Sequence, residues 1–143
     1  MASPADIHRE MADAWNRRDF EAFRALLHDD YTYVGPDGSK LPGGAAAALE
    51  MIQSYALAFT NAHMEVTRVY VQGNTAIAET VFRGTHTGEL MGIAPTGWRI
   101  EVPICNIAEV RDGKVYRERE YFDMMHLMTQ LGVVSASVGA PAA

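Results

Sequence analysis

The sequence predicts an α+β fold in which helices cover one face of a curved, mainly antiparallel sheet. Apolar residues recur at helical spacing in the first 60 positions, whereas residues 64–122 are rich in Val, Ile, Thr, Tyr and Phe and are divided by short turns. Helices followed by a run of strands are typical of α+β folds. We expect the concave face of such a sheet to form a pocket.

The chain length and composition predict one domain. The 143 residues are enough to bury a core without disulfides or metals, and the sequence contains neither a repeat of fixed period nor a linker to a second domain. Residues 1–134 are therefore expected to fold as a single domain. Residues 135–143, which are Ala, Gly, Ser, Pro and Val, are expected to form a flexible tail.

Charge and cysteine content limit the partners and the compartment. The formal net charge is −6 and the Lys and Arg residues are scattered, so nucleic acid is not an expected partner. The single cysteine, Cys105, cannot form an internal disulfide, which fits a reducing compartment. The sequence lacks a signal-peptide pattern, and its apolar runs are shorter than the ~20 residues that span a bilayer. We expect a cytoplasmic protein without a membrane partner.

The N-terminal region predicts a helical hairpin. Ser3, Pro4 and Asp6 form an approximate capping box with a first-turn proline. Asp19 is then expected to cap a second, short helix. The apolar positions of the two helices follow helical spacing: Ile7, Met11, Ala14 and Trp15, then Phe20, Phe23, Leu26 and Leu27.

A short strand and a third helix are expected next. Residues 28–34 form an aromatic, β-prone run that the turn-forming residues 35–38 end. After a second break at residues 41–44, an alanine-rich segment predicts a helix that ends near Thr60. Its apolar positions also follow helical spacing: Leu49, Ile52, Tyr55, Ala56 and Phe59.

The second half of the chain predicts the sheet. Strands are expected over 64–71, 75–86, 99–110 and 114–122, with tight turns at 72–74 and 111–114. Residues 87–97 combine three glycines and a proline with apolar side chains, so they are expected to form a loop that covers the pocket. Asp123 is expected to cap a short last helix over 124–131.

The last predicted strand carries two carboxylates among aromatic residues. Strand alternation places Tyr116, Glu118, Glu120 and Phe122 on one face. The flanking aromatics mark this face as the inner one, where apolar side chains are expected. Such a conflict between local pattern and burial is typical of functional sites.

The turn at 111–114 decides which residues face the two glutamates. A two-residue loop would pair Arg111 with Lys114 and place Cys105, Ile107 and Glu109 on their face. A three-residue loop with a bulge would pair Val110 with Lys114 and place Ile104, Asn106 and Ala108 there instead. We prefer the second pairing, because an amide can hydrogen-bond a carboxylate whereas a third carboxylate would add repulsion.

Burial and mutual repulsion would both raise the pKa of these glutamates, which would suit a general acid near neutral pH. The alternative interpretation is a solvated strand on which Glu118 and Glu120 pair with Arg117, Arg119 or surface lysines. Among the other titratable groups, the five histidines show no metal-binding spacing, so no metal is expected. The residues expected to contact a substrate are His86, Tyr116, Phe122, Met91, Ile93, Ile104, Tyr33 and Tyr55.

Several short segments carry a resemblance to a known family: residues 93–97 (Ile-Ala-Pro-Thr-Gly), 111–115 (Arg-Asp-Gly-Lys-Val), 121–123 (Tyr-Phe-Asp) and 130–132 (Gln-Leu-Gly). In the order and spacing of these segments, the sequence resembles the SnoaL-like polyketide (ester) cyclases of the nuclear-transport-factor-like superfamily. The resemblance implies a cone-shaped half-barrel with one deep apolar pocket and a homodimer formed through the sheet.

The resemblance also implies site residues. In the cyclases an aspartate shortly before the final Asp of the Tyr-Phe-Asp-like segment is the general acid/base, and a histidine lies on the neighbouring strand. These positions fall on Glu120 and Asn106, with Glu118 and Asn106 expected to orient the acid. The expected activity is aldol-type ring closure, or a related isomerisation, of a hydrophobic oxygenated small molecule without a cofactor.

Two alternatives remain at this point. The same segments are similar to limonene epoxide hydrolases, whose Asp-Arg-Asp arrangement would fall on Glu89, Thr87 and Glu120, so that the family arginine is missing. An epoxide hydrolase would use Glu89 and Glu120 to activate water. A non-catalytic module that binds a small ligand in the pocket is the other alternative, since a fold does not fix a function.

Overall fold

The protein is described by a computed structural model that covers residues 2–134. The flexible tail predicted at 135–143 lies outside the described residues. The elements in chain order are α1 (Pro4–Asn16), α2 (Phe20–Ala25), β1 (Leu27–Val34), α3 (Gly44–Ala58), β2 (His63–Gln72), β3 (Thr75–Thr85), β4 (Arg99–Arg111), β5 (Lys114–Tyr121) and α4 (Met124–Gln130). The α+β class and the predicted order of elements are confirmed.

Side-chain caps start three of the helices as the sequence predicts. The Ser3 hydroxyl accepts from the Asp6 amide and the Asp6 carboxylate accepts from the Ser3 amide, which completes the capping box. Asp19 accepts a hydrogen bond from the backbone at the start of α2, and Asp123 does the same for α4. These contacts satisfy amide groups that lack partners within the first turn of a helix.

The five strands form one curved mixed sheet with the order β1-β5-β4-β3-β2. Neighbouring strands are antiparallel except β1, which runs parallel to β5 at one edge. Helix α1 packs against β2, β3 and β4, and α3 packs against β1. The helices thus cover the concave face, where the inward side chains of β3 are buried: Ala76, Ala78, Thr80 and Phe82.

The turn between β4 and β5 is shorter than predicted. Asp112 and Gly113 form a two-residue loop with φ values of 54° and 74°, and Arg111 pairs with Lys114. The predicted three-residue loop, which would pair Val110 with Lys114, is wrong. An Asp-Gly pair with positive φ at both positions forms a turn whose twist matches the twist of the flanking strands.

A bulge inside β5 supplies the extra residue that the predicted loop would have supplied. Glu109 pairs with Arg117 and Val110 pairs with Val115, so Tyr116 is the unpaired residue between them. The extra residue shifts the alternation of β5 by one position. The grouping of β4 and β5 side chains predicted with the longer loop is therefore confirmed, although the loop itself is not.

Candidate active site

A cavity of about 720 Å³ lies between the concave face of the sheet and the helices. Most of its lining is apolar or aromatic, with contributions from Trp15, Phe82, Val102, Leu127 and others. Polar groups gather at one wall, where β5 lies between β4 and β1. An apolar cavity with a few converging polar groups is the usual form of a small-molecule site.

Two glutamates and one amide form the centre of this polar wall. Asn106 on β4 lies directly opposite Glu120 on β5, and Ala108 lies opposite Glu118. The Asn106 amide nitrogen donates to Glu118 Oε2 at 2.9 Å and to Glu120 Oε2 at 3.2 Å. One carboxamide thus bridges the two carboxyl groups with both of its hydrogens.

Two tyrosines from β1 complete the hydrogen bonding of the glutamates. The Tyr31 hydroxyl donates to Glu118 Oε1, and the Tyr33 hydroxyl donates to Glu120 Oε1 at 3.1 Å. Burial, together with the nearby carboxylates, raises the pKa of both tyrosines far above the ordinary value of a phenol. Both hydroxyls therefore stay protonated and act as donors.

Burial raises the pKa of Glu120 to about 7, and the charge of Glu118 acts in the same direction. The hydrogen bonds from Asn106 and Tyr33 oppose this shift, because they stabilise the charged form. Glu120 is partly accessible, and it lines the cavity. A carboxyl group of this kind can both take and give a proton near neutral pH.

His8 on α1 also belongs to the site, and it was not among the residues predicted for it. It is buried, it lines the cavity, and its Nε2 lies 3.0 Å from Asn106 Oδ1. Burial lowers the pKa of His8. The available signal was spacing: His8 shares a helical stripe with Met11, Ala12 and Trp15, which indicates an inward position.

Several residues predicted to contact a substrate do line the cavity. They are Tyr33, Tyr55, Met91, Ile104 and Phe122. Burial, with a contribution from the charge of Glu120, raises the pKa of Tyr55 to about 12, so its hydroxyl is protonated at neutral pH. Tyr55 therefore offers a further donor in the same cavity.

Four other predicted site residues lie elsewhere. Tyr116, at the bulge, points away from the cavity and stacks on Arg111, whose guanidinium carbon lies 3.8 Å from the ring centroid. Ile93 pairs with Leu90 within the loop and does not line the cavity. Glu89 is exposed on the same loop, outside the cavity. The structure thus does not bring Glu89 to Glu120.

His86, the fourth residue, is fully buried but organises the loop instead of lining the cavity. Its Nδ1 accepts from the Thr96 amide at 3.2 Å and lies 3.0 Å from the Thr96 hydroxyl. Its backbone bonds to Trp98 and Gly97 at the other end of the loop. Strand alternation correctly predicts an inward position for His86. The alternation does not show that the cavity ends before this residue.

Within residues 2–134, His, Cys, Asp and Glu side chains do not assemble into groups of three suited to hold a metal ion. In the same part of the chain, every helix is too short or too polar to cross a membrane. The polar wall of the cavity contains hydrogen-bonded carboxyl, amide, phenol and imidazole groups. Such groups can exchange protons with a bound molecule and orient its oxygens.

The fold and the site together define a small α+β protein with a carboxyl pair enclosed in an apolar cavity. The chain belongs to the SnoaL-like polyketide cyclase family, whose sequence profile matches residues 5–131. The family resemblance of the short segments is thereby confirmed.

Individual relatives agree with this membership. The chain is 27% identical over 137 residues to an aklanonic acid methyl ester cyclase from Streptomyces peucetius, with 92% of each chain covered. IdmH from Streptomyces antibioticus, a candidate polyketide cyclase, has a similar structure, with a TM-score of 0.80, 26% identity and coverage of 92% of this chain and 99% of that one. A candidate hydroxylase from Streptomyces galilaeus shares the fold, with a TM-score of 0.83, 23% identity and coverage of 92% and 82%.

Proposed function

We propose that the protein is a cyclase-type enzyme that closes a ring in a hydrophobic, oxygenated small molecule by general acid/base catalysis. The observation that carries this proposal is the Glu120 carboxyl group, whose pKa is raised to about 7 inside an apolar cavity. Membership in a polyketide cyclase family supports it. The proposed step needs no cofactor.

In the proposed reaction Glu120 acts first as a base and then as an acid. Its carboxylate takes a proton from a carbon next to a carbonyl group, which leaves an enolate. The enolate carbon attacks a second carbonyl carbon, a carbon–carbon bond forms, and the electron pair of the carbonyl π bond moves to oxygen. That oxygen takes the proton from Glu120, so the carboxylate is regenerated and all atoms remain in the product.

The neighbouring groups have distinct roles in this proposal. Asn106 and Tyr33 hold Glu120 in one orientation through hydrogen bonds to its two oxygens. Glu118 keeps the pKa of Glu120 high through its charge. Tyr55 is free to donate to a carbonyl oxygen of the substrate, which would stabilise the developing charge.

The epoxide hydrolase alternative gains no support from the site or from the relatives. Its two further positions, Glu89 and Thr87, are exposed and lie outside the cavity. A hydrolase of that type needs several polar groups around one water molecule. Because Glu89 and Thr87 lie outside the cavity, Glu120 lacks the partners that epoxide hydrolysis requires.

The proposal includes the partners and the compartment expected from the sequence. The proposed partner is the small-molecule substrate, and neither nucleic acid nor a membrane is a proposed partner. The single cysteine, Cys105, supports a cytoplasmic location. Because one relative is named for aklanonic acid methyl ester, that compound is a suitable first probe.

Replacement of Glu120 tests the proposed function. Glu120→Gln keeps the size of the side chain and removes the exchangeable proton, so we expect turnover of aklanonic acid methyl ester, or of a related polyketide ester, to fall by about 10²–10⁴-fold. Glu79→Gln is the matched control, because Glu79 is exposed on the other face of the sheet. Turnover of Glu120→Gln equal to that of Glu79→Gln would refute the role of Glu120. Tight binding by the wild type without turnover would favour a non-catalytic binding module.

A further inference from the structure

The orientation of the Asn106 amide follows from its neighbours. Glu118 and Glu120 approach the same amide nitrogen at 2.9 and 3.2 Å. Ionised carboxylates can only accept hydrogen bonds, so the NH₂ group must face them. The carbonyl oxygen of Asn106 then faces His8 Nε2 at 3.0 Å.

This orientation fixes the protonation of His8. The amide carbonyl oxygen can only accept, so Nε2 must carry the hydrogen of the neutral imidazole ring. Nδ1 is then a bare acceptor, and it is buried without a hydrogen-bond partner among the described residues. A proton on Nδ1 would lack an acceptor there, in agreement with the burial that lowers the pKa of His8.

The arrangement also limits where the Glu120 proton can go. The Asn106 amide offers Glu120 a donor, and Tyr33 offers it another. A protonated Glu120 therefore finds no acceptor in Asn106 as long as the amide keeps its orientation. The acceptors left for this proton are the Tyr33 hydroxyl oxygen, after rotation of that hydroxyl, and a group in the cavity, where the substrate would lie.

We propose that His8 is a positioning residue whose Nε2–H locks the Asn106 amide, so that the proton of Glu120 is directed to the substrate and not to Asn106. Without His8 only the bonds to the glutamates hold the amide, so it rotates more easily by half a turn and presents its oxygen to Glu120. A protonated Glu120 would then donate to this oxygen, which stabilises the acid form and withholds the proton. The catalytic role of this positioning rests on the proposed function, whereas the contact between His8 and Asn106 does not.

The titratable groups that face Glu120 come from four elements. Glu118 lies on β5, Tyr31 and Tyr33 on β1, Tyr55 on α3 and His8 on α1. The tyrosines and His8 are neutral at pH 7, because burial raises the pKa of the tyrosines and lowers that of His8. A change of His8 therefore acts on Glu120 through the amide and not through a lost charge.

The test measures the Glu120 carboxyl directly in the whole protein, without substrate. We compare ¹³C NMR titrations of Glu120 in the wild type, His8→Phe and His8→Gln. His8→Phe keeps a ring but removes the donor, and we expect it to raise the Glu120 midpoint by about one pH unit. His8→Gln can donate to the same oxygen and should restore a midpoint near that of the wild type. His63→Phe, at an exposed position, is the control.

Two results would overturn this proposal. The first is a wild-type His8 that carries its hydrogen on Nδ1, which long-range ¹H–¹⁵N spectra would show. Because this measurement uses only the wild type, it tests the proposal even if a variant fails to fold. The second is an unchanged Glu120 midpoint in folded His8→Phe. If Glu120→Gln retained turnover while His8→Phe shifted the midpoint, the proposed function would fail and the lock would stand.

Discussion

Glu120 combines an apolar surrounding with a full set of hydrogen-bond donors. Desolvation and the charge of Glu118 favour its acid form, whereas Asn106 and Tyr33 favour its carboxylate form. The net result is a pKa of about 7 in place of the ordinary 4.5. This balance suits the proposed role of Glu120 as base and acid in the same reaction.

The raised pKa has a consequence for stability. Between pH 4.5 and 7 the folded protein holds a proton on Glu120 that the unfolded chain releases, so the free energy of unfolding should decrease as pH rises through this range. The contribution of Glu120 should fall by about 3 kcal/mol between pH 4.5 and pH 8. The Glu120→Gln variant lacks this pH-dependent contribution. We therefore expect the stability difference between wild type and variant, from urea unfolding, to change by that amount. A difference independent of pH would contradict the raised pKa.

At the residue scale the sequence predicted that Glu120 and Asn106 share one face, but not all of their surroundings. Glu118 and Glu120 stand out because they interrupt an aromatic face of a strand, and alternation pairs them with Asn106. His8 does not stand out in this way, because a histidine on an apolar helical stripe is compatible with many buried positions. Its role depends on where α1 crosses the sheet, which periodicity cannot supply.

At the scale of elements, the bulge at Tyr116 decides the composition of the site. A two-residue turn in a regular hairpin would place Cys105, Ile107 and Glu109 with the glutamates. The bulge restores the other alternation, so the amide of Asn106 meets the carboxyl groups and Tyr116 turns outward. The Asp-Gly pair is compatible with the short loop, but the preferred prediction was the longer loop, and a bulge within a strand has no clear sequence signal.

Strand β1 shows a second limit of sequence interpretation. The aromatic run at 28–34 predicts a strand, and the structure confirms it as Leu27–Val34. The partner of this strand is β5, in parallel orientation, which joins segments about 90 residues apart. Local pattern could not predict this pairing, and it is the pairing that brings the hydroxyls of Tyr31 and Tyr33 to the glutamates.

The loop at 87–97 partly agrees with its predicted covering role. Met91 lines the cavity and Leu90 is buried. The amides of Thr87 and Gly88 donate to the Ala58 carbonyl at 2.9 and 3.0 Å, which fastens the base of the loop to the end of α3. His86 fastens the other side through Thr96. Backbone hydrogen bonds thus hold the loop at both ends, and Leu90 is its buried apolar side chain, whereas Met91 lines the cavity while remaining largely exposed.

At the scale of the whole molecule, the helices described within residues 2–134 leave one face of the sheet uncovered. The convex face carries apolar side chains between ion pairs such as Arg83 with Glu65. Its apolar members are Ile77, Val81, Pro103, Ile107 and Tyr121. The homodimer through the sheet implied by the family resemblance remains a proposal, and this face is the surface that would form it.

A charged residue in the middle of this face tests the dimer. Ile107 lies on β4, the central strand, so Ile107→Glu would place two carboxylates in or near a shared interface. We expect sedimentation velocity to show a dimer for the wild type and a monomer for the variant. Gln72→Glu, at the exposed end of β2, should behave as the wild type. A wild type that sediments as a monomer at high concentration would refute the proposed dimer.

The fold alone does not determine what this molecule does. The same architecture occurs in relatives named as cyclases and in a candidate hydroxylase. The central claim, that Glu120 exchanges protons with a substrate, therefore rests on the cavity and on this carboxyl group. A resemblance over the whole sequence does not by itself support that claim.

The most direct test of that claim is the titration of the Glu120 carboxyl in the wild-type protein. Its ¹³C resonance can be assigned by its loss in Glu120→Gln, and no substrate is required. A midpoint near pH 7 is the expected result, because burial and the charge of Glu118 outweigh the hydrogen bonds from Asn106 and Tyr33. A midpoint at the ordinary value of about 4.5 would show a solvated carboxylate and would contradict the account.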